Sequence, residues 1–263
     1  GVWPNRGVGR GLGVDPGGVG DGGQMFRNTR FGGFPHTMEG NFTGWMLLSH
    51  GKPMTASSTL EAAHPASHAS DENIRTFWAA AQARTGETLT VDLQKPCTVR
   101  AVQINYTDYQ SDVFDNGPRV YTTFKLWGSL DGKNWQLLED LSRQPRKDRP
   151  CAYVPLKTPA RLRFVRYEHG HVAAPKLAIC DFRVFGTAAG KAPGRPEKPS
   201  VRRDRDRRNA FVDWPRIEGA VGYNVRWGIA PDKLYQTYQV WADHSGPLEI
   251  RALNLPQGYS FAV

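Results

Sequence analysis

The sequence predicts an all-β chain built as two antiparallel sandwiches in tandem. Three observations predict it. Apolar residues alternate with polar ones in short runs, and no ten-residue amphipathic helix separates those runs. The chain holds 28 Gly and 19 Pro beside eight Trp and nine Tyr, a mixture that favours strands and tight turns over long helices. A Pro-, Gly- and charge-rich stretch at 187–200 divides the alternating runs into two groups.

The elements follow in order. Ten of the first 23 residues are Gly, with almost no hydrophobic pattern, so residues 1–24 are expected to be a Gly-rich disordered segment. Residues 25–44 carry aromatics and turn formers but are too short to fold alone. From there the strands come quickly. Leu89, Val91 and Leu93 share one face of a run from Thr88, and Val102, Ile104 and Tyr106 share one face of the next. Phe124 and Leu126 alternate with Lys125 and Trp127. Asp131-Gly132 turns the chain into a return strand from Trp135 to Leu138. Leu162 and Phe164 alternate with Arg161 and Arg163, and the group closes on Phe182 to Gly186. After the linker, Ala210 to Trp214 and Gly222 to Trp227 alternate again. A run from Gly258 reaches Val263, leaving the second sandwich one strand short, with an exposed edge.

With 263 residues, 39% hydrophobic and 22% charged, the chain reads as globular. No window approaches the ~18 consecutive apolar residues of a membrane-spanning helix. No signal peptide is visible at Gly1-Val2-Trp3-Pro4. The net charge of +9 is spread along the chain, and no stacking aromatics interleave with the Arg-rich run at 201–208, so nucleic acid is not an expected partner. Cys97, Cys151 and Cys180 show no metal-ligand spacing. One bridge with a spare thiol stays open.

Six pieces in order give residues 45–186 a family resemblance. They are Lys52 to Ser58, Ser70 to Trp78, Leu89 to Leu93, Ser129 to Trp135, Arg163 to Arg166 and Phe182 to Gly186. Together they resemble the discoidin-like (coagulation factor type C) jelly-roll sandwich used by carbohydrate-binding module family 32. Val212-Asp213-Trp214, Ala220 to Val225 and Leu255 to Phe261 make residues 201–263 similar to an incomplete fibronectin type III (immunoglobulin-like) sandwich, the last run matching its tyrosine-corner strand. Asn28 to Gly32 and Phe42 to Leu47 resemble the closing segment of a glycoside hydrolase family 43-type propeller, making 25–44 the remnant of a preceding domain.

These resemblances imply a non-catalytic carbohydrate-binding and spacer region of a secreted, cell-surface or periplasmic protein. Its partners would be a glycan or polysaccharide and a linked catalytic domain outside this chain. The alternatives are the tail of a family 43-type glycosidase, whose catalytic carboxylates sit in a propeller body not present here, or a structural protein-contact module. Asp108, Asp112 and Asp115 cluster in one loop and read as turn formers rather than an acid/base pair. The resemblance places structural Ca2+ on Asp71, Asn73 and Thr76, closed by Asp181; Glu72 stands where the family has Gly, and Asp181 where it has Glu. An Asx-turn held by its own hydrogen bonds is the competing reading. A sugar needs an aromatic face and a few directed polar groups, presented on loops at one end of the sandwich. Loops 106–121 and 168–176 offer Tyr109, Phe114, Arg119, Tyr121, His169 and His171, and the loop of His64 and His68 is a candidate neighbour.

Overall fold

The computed structural model describes residues 17–19, 25–27, 45–73, 75–111, 118–146, 151–191 and 193–263. Among the described residues the regular secondary structure is strand, apart from one four-residue 3-10 turn at Ala66–Ala69. No helix among these residues is long and apolar enough to cross a membrane. Strands β1 (Gly17–Val19) and β2 (Met25–Arg27) pair as an antiparallel ribbon. The chain divides into two compact units, one including Trp45–Ala189 and the other including Gly190–Val263.

The first unit contains β3 (Met46–Leu47), β4 (Met54–Ala56), β5 (Trp78–Ala79), β6 (Thr88–Tyr106), β7 (Thr123–Ser129), β8 (Gln136–Asp140), β9 (Cys151–His171) and β10 (Ala178–Thr187). Their order is β3-β10-β6-β9-β7-β8, with β4 added to β6 and β5 to β10. The organising feature is two very long strands. The sequence pattern divides residues 88–106 into two runs, yet β6 is one strand of 19 residues. Its pairing with β9 shifts register between Asp92 and Cys97, where Gln94 takes a φ of 66° and Pro96 has no N–H to give, and again between Val99 and Ala101. Its first half pairs with β4 and with residues 164–168 of β9. Its second half pairs with β10 and with residues 151–162 of β9.

Each long strand therefore contributes to both faces of the sandwich, and one apolar cluster fills the space between. Leu89, Val91, Phe124, Leu126, Val165 and Tyr167 come from one side, and Val102, Ile104, Ala152, Phe182 and Val184 from the other. The bulge also corrects the face expected for Phe164. Leu162 and Val165 are both buried, so the inward parity of β9 slips by one residue at the bend and Phe164 turns outward. Trp78 is fully buried, and its indole N–H is satisfied by the Ser58 carbonyl at 3.0 Å. All three cysteines are buried thiols. Cys151 lies opposite Asn105 on one neighbouring strand and Cys180 adjoins Asn105 on the other, so β6 separates the two thiols.

The second unit has two three-stranded sheets. One orders β11 (Ser200–Arg203), β12 (Ala210–Asp213) and β15 (Leu248–Ile250) as β11-β12-β15. The other orders β13 (Gly222–Gly228), β14 (Gln236–Trp241) and β16 (Ser260–Ala262) as β14-β13-β16. Ala210, Val212, Trp214, Val225, Trp227 and Ile250 form its core. The Tyr259 hydroxyl accepts a hydrogen bond from the Asn254 N–H at 3.0 Å, pinning the approach to β16.

Candidate glycan-binding site

The bend in β6 and β9 decides where the loops go. The N-terminal half of β6 and the C-terminal half of β9 end away from the bend in one sheet; Tyr106 and Cys151 end away from it in the other. The two ends meet, because the Tyr106 hydroxyl donates to the Tyr167 hydroxyl across the core at 3.3 Å. The loops after Leu60, Arg75 and Tyr106, and those around 119–121 and 171–176, gather at this end.

Two aromatic groups form there. His64 stacks on Phe77 with centroids 4.0 Å apart and planes 18° apart. Tyr109 approaches both rings, at 5.0 Å from His64 and 4.9 Å from Phe77. Glu61 ties the group together by accepting from the Tyr109 hydroxyl at 3.3 Å and facing His64 Nε2 at 3.3 Å. Gln110 donates to the same hydroxyl at 3.2 Å. Tyr121 and His171 form the second group, stacked at 4.2 Å and 30°. All five rings are half-buried, leaving aromatic surface at the sandwich end.

Of the expected residues, Tyr109, Tyr121 and His171 stand at this end in aromatic pairs, and Arg119 is exposed beside them in sequence. Phe114, with Asp112 and Asp115, lies outside the described residues. His169 is a correction. Only 2% of it is exposed, and its Nδ1 meets the Tyr167 hydroxyl at 2.8 Å, so its ring belongs to the interior rather than to a ligand. Burial, followed by the neighbouring His171, pulls its pKa down to about 4. Sequence reading missed Phe77 and Glu61. Phe77 had a signal: Trp78 points inward, so its neighbour must point out. Glu61 had none, since a lone acid in a loop looks like any solvated charge. Depressions of about 290 Å³ beside β13 and about 440 Å³ between β8 and β9 lie elsewhere.

The loop expected to hold calcium has a different organisation. Asp71 Oδ1 accepts from the Asn73 N–H at 2.8 Å, and Oδ2 from the Thr76 hydroxyl at 2.7 Å. The Thr76 hydroxyl also lies 2.9 Å from the Asn73 carbonyl, and Asn73 Oδ1 accepts from the Arg75 N–H at 3.0 Å. Glu72, at a φ of 55°, turns inward and receives both arms of the Arg183 guanidinium at 2.9 and 2.7 Å. Asp181 is taken by Asn105 Nδ2 at 2.8 Å and faces Arg183 at 3.9 Å. Only Asp181 Oδ1 and Asn105 Oδ1 remain shielded without a hydrogen-bond partner. Calcium takes roughly six to eight oxygens, and here the two buried carboxylates, Glu72 and Asp181, already face the Arg183 guanidinium. Among the described residues no group of three or more His, Cys, Asp or Glu is arranged to hold a metal ion. The donor set does not fit calcium.

Residues 53–175 match the F5/8 type C domain. Among solved structures, the chain is similar to chitosan-binding module 1 of a chitosanase/glucanase from Paenibacillus sp. IK-5. The two are 24% identical with a TM-score of 0.44, over 54% of this chain and 99% of that one. It is also similar to the family 32 carbohydrate-binding module of Clostridium perfringens NanJ, solved with galactose: 16% identical, TM-score 0.44, over 54% and 98%. A fucose binding module of Streptococcus pneumoniae is 17% identical with a TM-score of 0.42, over 55% and 97%. No curated protein matches the chain.

Proposed function

We propose that this chain is the non-catalytic glycan-binding and spacer region of a secreted carbohydrate-active protein, with the F5/8 type C domain as its binding module. One observation carries the reading. The loop end presents five half-buried rings with a carboxylate and imidazoles among them. Aromatic faces take the C–H patches of a sugar, and Glu61, His64 and His171 are placed to take its hydroxyls.

The second unit is read as a fibronectin type III-like spacer. The supports are its two three-stranded sheets and the Tyr259 hydroxyl bound to backbone five residues upstream. Linked to a glycoside hydrolase domain outside this chain, the pair would hold substrate near the catalytic centre and raise its effective concentration.

The test is the full chain on a glycan array that includes galactose, fucose and chitosan oligosaccharides, followed by titration of each hit. Tyr109→Ala and Tyr121→Ala are expected to weaken binding at least ~10-fold, the loss of about one stacked ring, with the melting temperature held. Failure to bind any glycan, or binding indifferent to both substitutions, refutes the reading. Salt-sensitive binding to polyanions alone would assign the basic surface to a structural contact instead.

A further inference from the structure

We propose that the Arg183 guanidinium is the built-in cation of the first unit: it holds the 71–76 loop onto strand β10 in the place a divalent ion would take, and the module is independent of calcium. The argument begins with sequence. Glu72 adopts a left-handed backbone conformation that favours Gly, and its φ of 55° turns a charged side chain toward the sheet. Strand β10 answers with Arg183, whose side chain is 3% exposed, against 12% for Glu72 and 5% for Asp181. A guanidinium suits this role because its fork matches both oxygens of one carboxylate while its charge is shared with a second. Both Glu72 oxygens are filled, at 2.9 and 2.7 Å, and Asp181 Oδ2 lies 3.9 Å from the same Nη2.

The side-chain oxygens of Asp71, Asn73 and Thr76 are engaged within the loop, on one another and on its backbone. The loop therefore carries its own hydrogen-bonded geometry, and its attachment to the sheet is an ion pair. Leaving Glu72 and Asp181 buried without that guanidinium costs far more than losing a surface pair, because a buried charge is stranded.

The experiment compares melting of the full chain in excess EDTA and in millimolar CaCl2 at matched ionic strength, with terbium luminescence as a direct probe of ion binding. The wild type is expected to show no shift beyond ~1 °C and no sensitised terbium emission. Arg183→Met is expected to lose roughly 10 °C in EDTA and to recover part of it with calcium, whose charge can now approach Glu72 and Asp181. Arg183→Lys keeps the charge without the fork and is expected to melt between the two. If Arg183→Met does not fold, the lysine variant carries the test by folding and staying indifferent to calcium. A wild type that melts lower in EDTA, or that binds terbium, overturns the proposal. So does an Arg183→Met variant as stable as the wild type.

Discussion

His169 makes acid sensitivity calculable. The Tyr106 hydroxyl donates to Tyr167, so the Tyr167 proton is free to go to His169 Nδ1 at 2.8 Å. That relay needs Nδ1 as an acceptor and hence a neutral imidazole. Burial first, and then His171, hold the folded pKa at about 4, against an opposing pull from Glu87. The ordinary value is about 6.5. With the folded pKa depressed, the unfolded chain takes up a proton that the folded one refuses. Stability is therefore full above pH ~6.5 and falls as pH drops toward ~4, below which this group adds nothing more. The gap of about 2.5 units corresponds to about 3 kcal/mol. His169→Gln keeps an acceptor for Tyr167 and cannot titrate. Urea unfolding of the full chain and the variant at pH 7, 6, 5 and 4 isolates the contribution, since carboxylates lose stability equally in both. The difference should shift by about 3 kcal/mol against the wild type over that window. Parallel pH profiles would show that His169 is protonated in the folded state and that the relay is wrongly drawn.

Other outcomes follow from single contacts. At Gly186 a Cβ would lie 2.0 Å from the Thr98 carbonyl oxygen, and at Gly228 1.6 Å from that of Lys233. Both neighbours are backbone, so Gly186→Ala and Gly228→Ala should each cost at least about 2 kcal/mol in denaturant titration. The Asp92–Arg163 pair is bidentate at 2.8 Å, but the side chains are 23% and 41% exposed. A double-mutant cycle should give no more than about 1 kcal/mol. The Arg163 hydrogen bonds hold the Asp92 carboxyl below its usual range, so that coupling should fade as pH falls through it and in high salt.

Much of the fold is legible in residue order. The alternation of Leu89, Val91 and Leu93, and of Val102, Ile104 and Tyr106, places the right side chains inside. What the pattern does not carry is that both runs belong to one strand. A bulge at Gln94 leaves alternation intact on either side while changing the sheet being served. The same slip sends Phe164 outward, because a period of two has no memory across an extra residue. The candidate site was legible as loops but not as a constellation. Tyr109, Tyr121 and His171 come from the aromatic content of those loops, whereas the His64–Phe77–Tyr109 grouping depends on strand pairings far apart in sequence. His169 and His171 look alike in sequence. They are two residues apart, a spacing that alone would put both rings on one face, but the register shift between Thr123 and Phe124 skips Gly170 and leaves His169 inside and His171 half-exposed.

The two long strands have a mechanical meaning. A sandwich whose sheets are joined only by loops has a seam, and it can open along that seam like a book while each sheet keeps its hydrogen bonds. Here β6 and β9 run from one sheet into the other, paired along both halves of their length. Each half of that ladder stays within one sheet, and the backbone of both strands runs unbroken through the bend between Asp92 and Cys97. The two sheets thus share a pair of covalent connections that a sandwich joined only by loops lacks.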